Sequence, residues 1–267
     1  MQRPPETDKQ VDTQKENLGK TLQREIDLAK NIQMTLLNGD VPVFDNGQLS
    51  GVSVPARLIG GDYFDFYHLK NGCIRIVIGD VMGKGIPAAM LMILTRGAFR
   101  SASETTRSPG DTLSSMNQAL YKDLRKLKSF VTLFCADLDP STGVLTYSNA
   151  GHNLPIHVQN ETETIAELPK ATGIMLGGLP NQIYKEQTVQ LKKFDVVFFY
   201  TDGIIDAHNN QAELFGLSKL MTLLSLYKDQ SADMIQNNVL AAVDQFINEM
   251  PQKDDITIVI LKITNDL

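Results

Sequence analysis

Only two cysteines and four histidines occur in the chain, and no uncharged apolar run reaches the roughly eighteen residues that a membrane crossing needs. Cys73 and Cys135 each sit inside an apolar run, where small buried thiols are common, so structural disulfides are not expected and a reducing cytosol suits the chain. So little His and Cys supplies zinc poorly. Basic charge is short as well: 25 Lys and Arg stand against 31 Asp and Glu, for a net charge of −6. Nucleic acid and anionic membranes are bound by clustered Lys and Arg, so neither is an expected partner, and a phosphate ligand would need a cation brought from solution. Met1-Gln2-Arg3-Pro4-Pro5-Glu6 begins no apolar signal region, which adds to the expectation of a cytoplasmic protein. No internal repeat at a period of about 20–50 residues is present, so repeat architectures are set aside.

What is there is ordinary core-forming material: 42% of the 267 residues are hydrophobic and 21% charged. Residues 1–17 are polar, with Pro4, Pro5, Asp8, Lys9 and Gln10, and are expected to form a disordered tail. Over 18–39 the pattern becomes helical, with Leu22, Ile26, Ala29, Ile32 and Leu36 three or four apart. That stripe suits either a coiled-coil dimer seam or a helix packed on its own domain. Asn38-Gly39-Asp40 and Pro42 end it, and a single domain is expected over 40–267.

Within that domain, extended runs recur at 63–69, 73–80, 130–138, 144–148, 156–159, 187–191, 196–201 and 256–262. Helical patterns occupy 87–100, 110–124, 217–226 and 232–250. Tight turns such as Lys70-Asn71-Gly72 and Asp139-Pro140-Ser141-Thr142-Gly143 join successive strands, so the sheets are at least partly antiparallel. The predicted class is α+β, layered, without the alternating rhythm of a Rossmann fold.

Four acidic motifs stand out. Gly60-Gly61-Asp62-Tyr63-Phe64-Asp65 lets the backbone approach a ligand and delivers Asp62 at a strand start, although alone it is common turn chemistry. Ile78-Gly79-Asp80-Val81-Met82-Gly83-Lys84-Gly85 runs an apolar strand into Asp80, where a carboxylate is costly to bury unless paired or metal-bound. A nucleotide-phosphate loop is the other reading of that bend, but the Walker pattern needs Ser or Thr where this chain has Gly85. Val196-Val197-Phe198-Phe199-Tyr200-Thr201-Asp202-Gly203 is plainly a strand and a turn. In Lys253-Asp254-Asp255-Ile256 two adjacent carboxylates precede another apolar run, and like charges resist ionising together unless a cation offsets them. Each motif has a plainer reading, yet in all four an Asp sits at the end of an apolar run, which convergence on one metal centre would explain. An all-oxygen site favours Mg²⁺ or Mn²⁺. Two such ions, about 3.5–4 Å apart, can hold a phosphoryl oxygen and activate water for phosphomonoester hydrolysis.

In their order and with their neighbours, these motifs resemble the SpoIIE/RsbU-type PPM (protein phosphatase 2C-like) serine/threonine phosphatases, over roughly residues 20–263. Asn149-Ala150-Gly151-His152-Asn153-Leu154-Pro155, Gly173-Ile174-Met175-Leu176-Gly177 and Phe215-Gly216-Leu217 are similar to further signature segments of that branch. The resemblance implies an α-β-β-α sandwich of two antiparallel sheets, with two Mn²⁺ or Mg²⁺ ions at one edge. It implies that Asp80 bridges both ions, that the Val81 carbonyl binds one, and that Asp202 and Asp254 complete the other. Asp62 would act directly or through a water, and Asp80 and Asp202 would thereby serve the activated water. Asp255 stands where many relatives carry Asn; it is a further candidate ligand, expected rather to orient its neighbour. Met82 occupies the position at which eukaryotic relatives carry a candidate acid His. His152 is the substitute candidate for that acid, against the plainer reading of a structural loop His. Arg57 is a candidate phosphate contact.

By the same resemblance the substrate would be a phosphorylated STAS-domain protein, of the anti-sigma factor antagonist type, in a bacterial partner-switching pathway. The helix over 18–39 would be a linker able to form a homodimer and to follow an upstream sensor domain. Two other readings remain at this point: a catalytically silent PPM-like module that binds phosphoprotein, and a hydrolase of small phosphoesters that shares the metal chemistry.

Overall fold

A computed structural model describes residues 6–37, 40–248 and 250–265, with side chains from residue 17 onward. In chain order its elements are α1 (Glu6–Leu37), β1 (Gly47–Val54), β2 (Tyr63–His68), β3 (Ile74–Val81), α2 (Ile86–Thr105) and α3 (Pro109–Leu127). There follow β4 (Val131–Leu138), β5 (Val144–Ala150), β6 (Ile156–Gln159), β7 (Thr164–Glu167), β8 (Glu186–Gln190) and β9 (Val196–Tyr200). Last come α4 (Gly216–Tyr227), α5 (Ala232–Ile247) and β10 (Ile256–Ile263).

Two five-stranded sheets form, in the orders β1-β10-β9-β6-β7 and β2-β3-β4-β5-β8. Every strand pair is antiparallel, as the short turns imply. Strand period explains the layering. Ile74, Ile76 and Ile78 of β3 and Val197 and Phe199 of β9 alternate with residues of the opposite face, and meet between the sheets with Phe134, Tyr147, Val259 and Leu261. The other faces are apolar too. Val77, Val81, Leu133 and Cys135 pack under α2 and α3 with Met92, Phe99, Leu113 and Met116. Phe198, Tyr200, Ile258 and Ile260 pack under α4 and α5 with Leu220, Leu224, Ile235 and Val239. Strands apolar on both faces therefore give an α-β-β-α sandwich, the expected class.

Three local outcomes differ from the sequence reading. The helix already runs from Glu6, where a disordered tail was expected over 1–17; residues 1–5 lie outside the described residues. No Gly or Pro interrupts 6–17, and a helix nucleated further along propagates cheaply through Glu, Lys and Gln. The face that α1 turns to the domain carries Ile26, Ala29, Gln33 and Leu37, while Leu18, Leu22, Leu28 and Ile32 stay exposed. The short β7 has no apolar run to announce it, since its four residues are half-buried or exposed. Among the described residues no helix is long and apolar enough to cross a membrane.

One buried ion pair fixes the helical layer to the sheet. Arg75, fully buried on β3, donates from Nε and Nη2 to the two carboxylate oxygens of Asp137 on β4, each at 2.7 Å. Its Nη1 reaches Thr112 at 2.6 Å and Thr106 at 3.0 Å, at the α2–α3 junction. The planar fork is thus satisfied on both sides. Removing one partner leaves a buried charge uncompensated, so Asp137→Ala is expected to destabilise the fold by about 3–5 kcal/mol in a denaturant titration. Wild-type stability in that variant would show that the pair has little role in the packing.

Candidate functional site

The antiparallel register, rather than any local motif, brings the aspartates together. Asp62 immediately precedes β2, whose first residue Tyr63 pairs with Gly79 near the end of β3, so Asp62 and Asp80 share one edge of their sheet. In the other sheet Tyr200 at the end of β9 pairs with Ile258 near the start of β10, which places Asp202 beside Asp254 and Asp255. The Thr201 hydroxyl joins the two sheets at this edge: it donates to Asp62 Oδ2 at 2.6 Å and accepts from the Thr257 N–H at 3.0 Å.

Asp255 spans the same gap by another route. Its Oδ1 accepts from Ala56 N–H and its Oδ2 from Gly61 N–H, each at 2.7 Å. Both oxygens are thus committed to shaping the loop before Asp62, which weighs against Asp255 as an ion ligand. Glycine is required in that loop. A Cβ at position 60 would stand 2.3 Å from Asp255 Oδ2, and one at position 61 would stand 2.8 Å from the Val81 carbonyl oxygen. Val81 buries its side chain completely, so that its backbone carbonyl is the group turned toward Gly61 and the Asp62 loop.

Charge in the cluster is under-compensated. Burial first, and the charge of Asp80 second, hold Asp62 well above the usual carboxylate range. Burial, then Asp202 and Asp254, lift Asp80 to about 7. Asp202 is raised by burial and by the charge of Asp254, with Asp206 adding to it and Lys84 opposing it. The cation in contact is Lys84, whose ammonium lies 2.7 Å from Asp254 Oδ2 and donates to the Lys253 carbonyl. Oxygen donors alone, and more negative charge than one lysine offsets, suit a hard divalent cation. Among the described residues no group of three or more His, Cys, Asp or Glu stands ready to hold a metal ion; Thr201 engages Asp62, and Lys84 engages Asp254.

The two weaker candidates diverge. His152 is buried, with Nδ1 at 2.9 Å from Thr132 Oγ1 and its backbone locked to the Asn149 side chain by bonds of 2.7 and 2.8 Å. Its Nε2 is buried near the Tyr200 backbone without a bond of good geometry. Burial pulls its value down to about 4, which favours the neutral ring near neutrality. Thr132 pairs with Asp80 across the strands, so His152 buttresses that strand end. Arg57, in contrast, is exposed and lies alongside Gly85 at the glycine-rich bend, with its guanidinium free of protein partners among the described residues.

Sequence reasoning passed over Thr201, Lys84 and Asp206. Thr201 and Lys84 lie inside the quoted motifs, but nothing in a motif tells which neighbour turns toward the carboxylates. Asp65, in the first motif, turns the other way: it is buried under α2 and accepts from Arg100 at 2.7 Å, with Arg96 at 3.3 Å.

A family model, that of Stage II sporulation protein E (SpoIIE), matches residues 70–264. Phosphoserine phosphatase RsbU of Bacillus subtilis (strain 168) is 30% identical over 241 residues, covering 90% of this chain and 70% of that protein. Among solved structures, the SiaA-PP2C domain of Pseudomonas aeruginosa superposes with a TM-score of 0.79 at 22% identity, covering 92% of this chain and 98% of that one. RsbX, crystallised in complex with magnesium, superposes with a TM-score of 0.63 at 18% identity, covering 84% of this chain and 99% of that one. The last two similarities establish the fold.

The depressed value of His152 makes a pH prediction. As pH falls from 6.5 toward 4, the unfolded chain takes up a proton that the folded chain refuses, so folding stability is lost across that window. At 1.36 kcal/mol per unit the wild type loses about 3 kcal/mol by pH 4 from this residue. In urea titrations at pH 7 and pH 4, His152→Gln is expected to lose correspondingly less than wild type; parallel losses would contradict the assignment.

Proposed function

The chain belongs to the SpoIIE family, and on that premise we propose that it is a metal-dependent protein serine/threonine phosphatase. The observation that carries this reading is the meeting of Asp62, Asp80, Asp202 and Asp254 at one edge of the sandwich, with the Asp62, Asp80 and Asp202 carboxyls driven upward by burial and mutual repulsion. Mn²⁺ or Mg²⁺, two ions when fully loaded, would supply the Lewis acidity that polarises a phosphoryl oxygen and acidifies a water. Asp80, between the two sheets' contributions, would bridge the ions; the Val81 carbonyl would hold one, and Asp202 with Asp254 the other. Asp62, tethered by Thr201, would act directly or through a water. Asp255 would hold the Gly60-Gly61 loop in place.

Arg57 would meet the incoming phosphoryl group from the side of Gly85, because its guanidinium is exposed and free to make a bidentate contact.

The substrate we propose is a phosphoserine or phosphothreonine on a STAS-domain protein, in a cytoplasmic partner-switching system. Support comes from the relationship to a phosphoserine phosphatase. The exposed Leu18, Leu22, Leu28 and Ile32 on α1 support a second role for that helix, as the contact between two copies of the chain.

Hydrolysis of a phosphoserine STAS protein and of para-nitrophenyl phosphate, each with Mn²⁺ and with EDTA, tests the reading. Release of phosphate should require the ion and should fall to background in Asp80→Asn and in Asp202→Asn, with circular dichroism unchanged. Equal rates in EDTA, or full activity in either variant, would overturn it.

A further inference from the structure

Between Lys84 and Arg96 the chain carries no charged residue, and α2 takes up most of that stretch. One face of the helix belongs to the core, with Ala88, Ala89, Met92, Thr95 and Phe99 buried against the sheet. The opposite face is apolar as well, and it lies in solvent. Ile86, Met90, Ile93 and Leu94 recur every three or four residues along it, and Met90 is 69% exposed. A helix apolar all round belongs in an interior, whereas the outer face of a covering helix is ordinarily polar. Its neighbour α3 follows that rule, turning Gln118, Lys122, Asp123 and Arg125 outward.

The stripe starts beside the carboxylate edge. Met82, itself exposed, sits in the bend between Asp80 and the helix, and Arg57 lies alongside that bend at Gly85. From Ile86 to Leu94 the helix rises about 12 Å. A protein held in a specific complex covers about 800 Å² of its partner, a disc of about 16 Å radius. A phosphoprotein that brings its phosphoryl group to Asp80 and Asp202 past Gly85 therefore lays its own surface over the first turns of α2. A second copy of the chain seated on the stripe would take the ground that this substrate needs. The exposed leucines for contact between copies are on α1 instead.

We propose that the exposed stripe of Ile86, Met90, Ile93 and Leu94 is the docking surface for the phosphoprotein substrate, which meets it with an apolar patch beside the phosphorylated residue. The inference rests on the reading above that this edge hydrolyses phosphoserine or phosphothreonine in a protein. It adds what separates a protein substrate from a small phosphoester: contact outside the reacting group. An uncharged stripe suits a chain of net charge −6, because it receives a phosphoprotein without adding like-charge repulsion. Methionine at its centre adapts its shape to the partner. Depletion of charge from a contact centre, with Lys84 and Arg57 at one end, is also the pattern of a protein–protein interface.

The test is the double variant Met90→Ser, Leu94→Ser in the full chain, compared on two substrates with Mn²⁺ present. Both positions are exposed and lie outside the ion centre, so circular dichroism and Mn²⁺ binding by calorimetry should match wild type. On a phosphoserine STAS protein kcat/KM should fall about 10-fold or more, through KM, as loss of apolar anchors does. On para-nitrophenyl phosphate it should stay within about twofold of wild type. Met90→Leu, which keeps the apolar surface, should behave as wild type on both. An unchanged KM for the phosphoprotein in the double variant, or an equal loss on both substrates, would overturn the docking surface alone. So would a shift to a smaller species in sedimentation velocity, which would give the stripe to a second copy of the chain. Wild-type protein that hydrolyses para-nitrophenyl phosphate but not the phosphoprotein would overturn the protein-substrate reading, and this inference with it.

Discussion

Carboxylates that repel one another are held within a few side chains' reach because the strands that carry them are locked in register. Each of the motif aspartates sits just beyond, or in the last turns of, a strand whose neighbouring residues are fully buried: Tyr63 after Asp62, Ile78 before Asp80, Tyr200 before Asp202 and Ile256 after Asp255. Sliding any of those strands by one residue would reverse its faces and expose apolar side chains that now pack on both sides. The energy of the three apolar layers thus opposes the electrostatic strain at the edge, and the strain persists as raised carboxyl values. Everything else at the site, from the Thr201 bridge to the glycine loop, works inside that frame.

Much of this was legible in the sequence because apolar runs ending in Asp are a one-dimensional pattern. Strands apolar on both faces leave long hydrophobic runs, so β3, β4, β9 and β10 could be read directly, and with them Asp80, Asp202 and Asp254. Elements that the core does not pay attention to were harder: β7 is half-exposed, and the first two turns of α1 have no apolar stripe. At the site, what escaped was direction. Asp62 and Asp65 are three residues apart in one motif, yet the first turns to the sheet edge and the second to the arginines of α2. Likewise Asp254 and Asp255 are adjacent, and only the pairing of Ala56 and Gly61 with the latter separates a loop brace from its neighbour. Side-chain direction at a strand end depends on the turn geometry that precedes it, which three-dimensional packing decides.

The helical layers are fastened by charge as well as by apolar contact. Asp65 binds α2 to β2 through Arg96 and Arg100, and Asp137 binds the α2–α3 junction to β4 through Arg75. These are positions where a carboxylate and guanidinium satisfy one another, in contrast to the edge, where the carboxylates meet one another, Thr201, Lys84 and backbone N–H groups. Asp65 and Asp137 thus have their charge offset by guanidinium groups, whereas Asp62, Asp80 and Asp202 at the edge have no arginine in contact among the described residues.

The length of α1 has a mechanical consequence. With its last three turns, from Ile26 on, resting on the domain, the stretch from Ile26 back to Glu6 projects about 30 Å at 1.5 Å per residue. Tilting such an arm by about five degrees displaces its far end by about 2–3 Å while moving the supported turns by only tenths of an ångström. Read in reverse, a modest push at the distal end arrives at the supported turns geared down, with small travel and multiplied force.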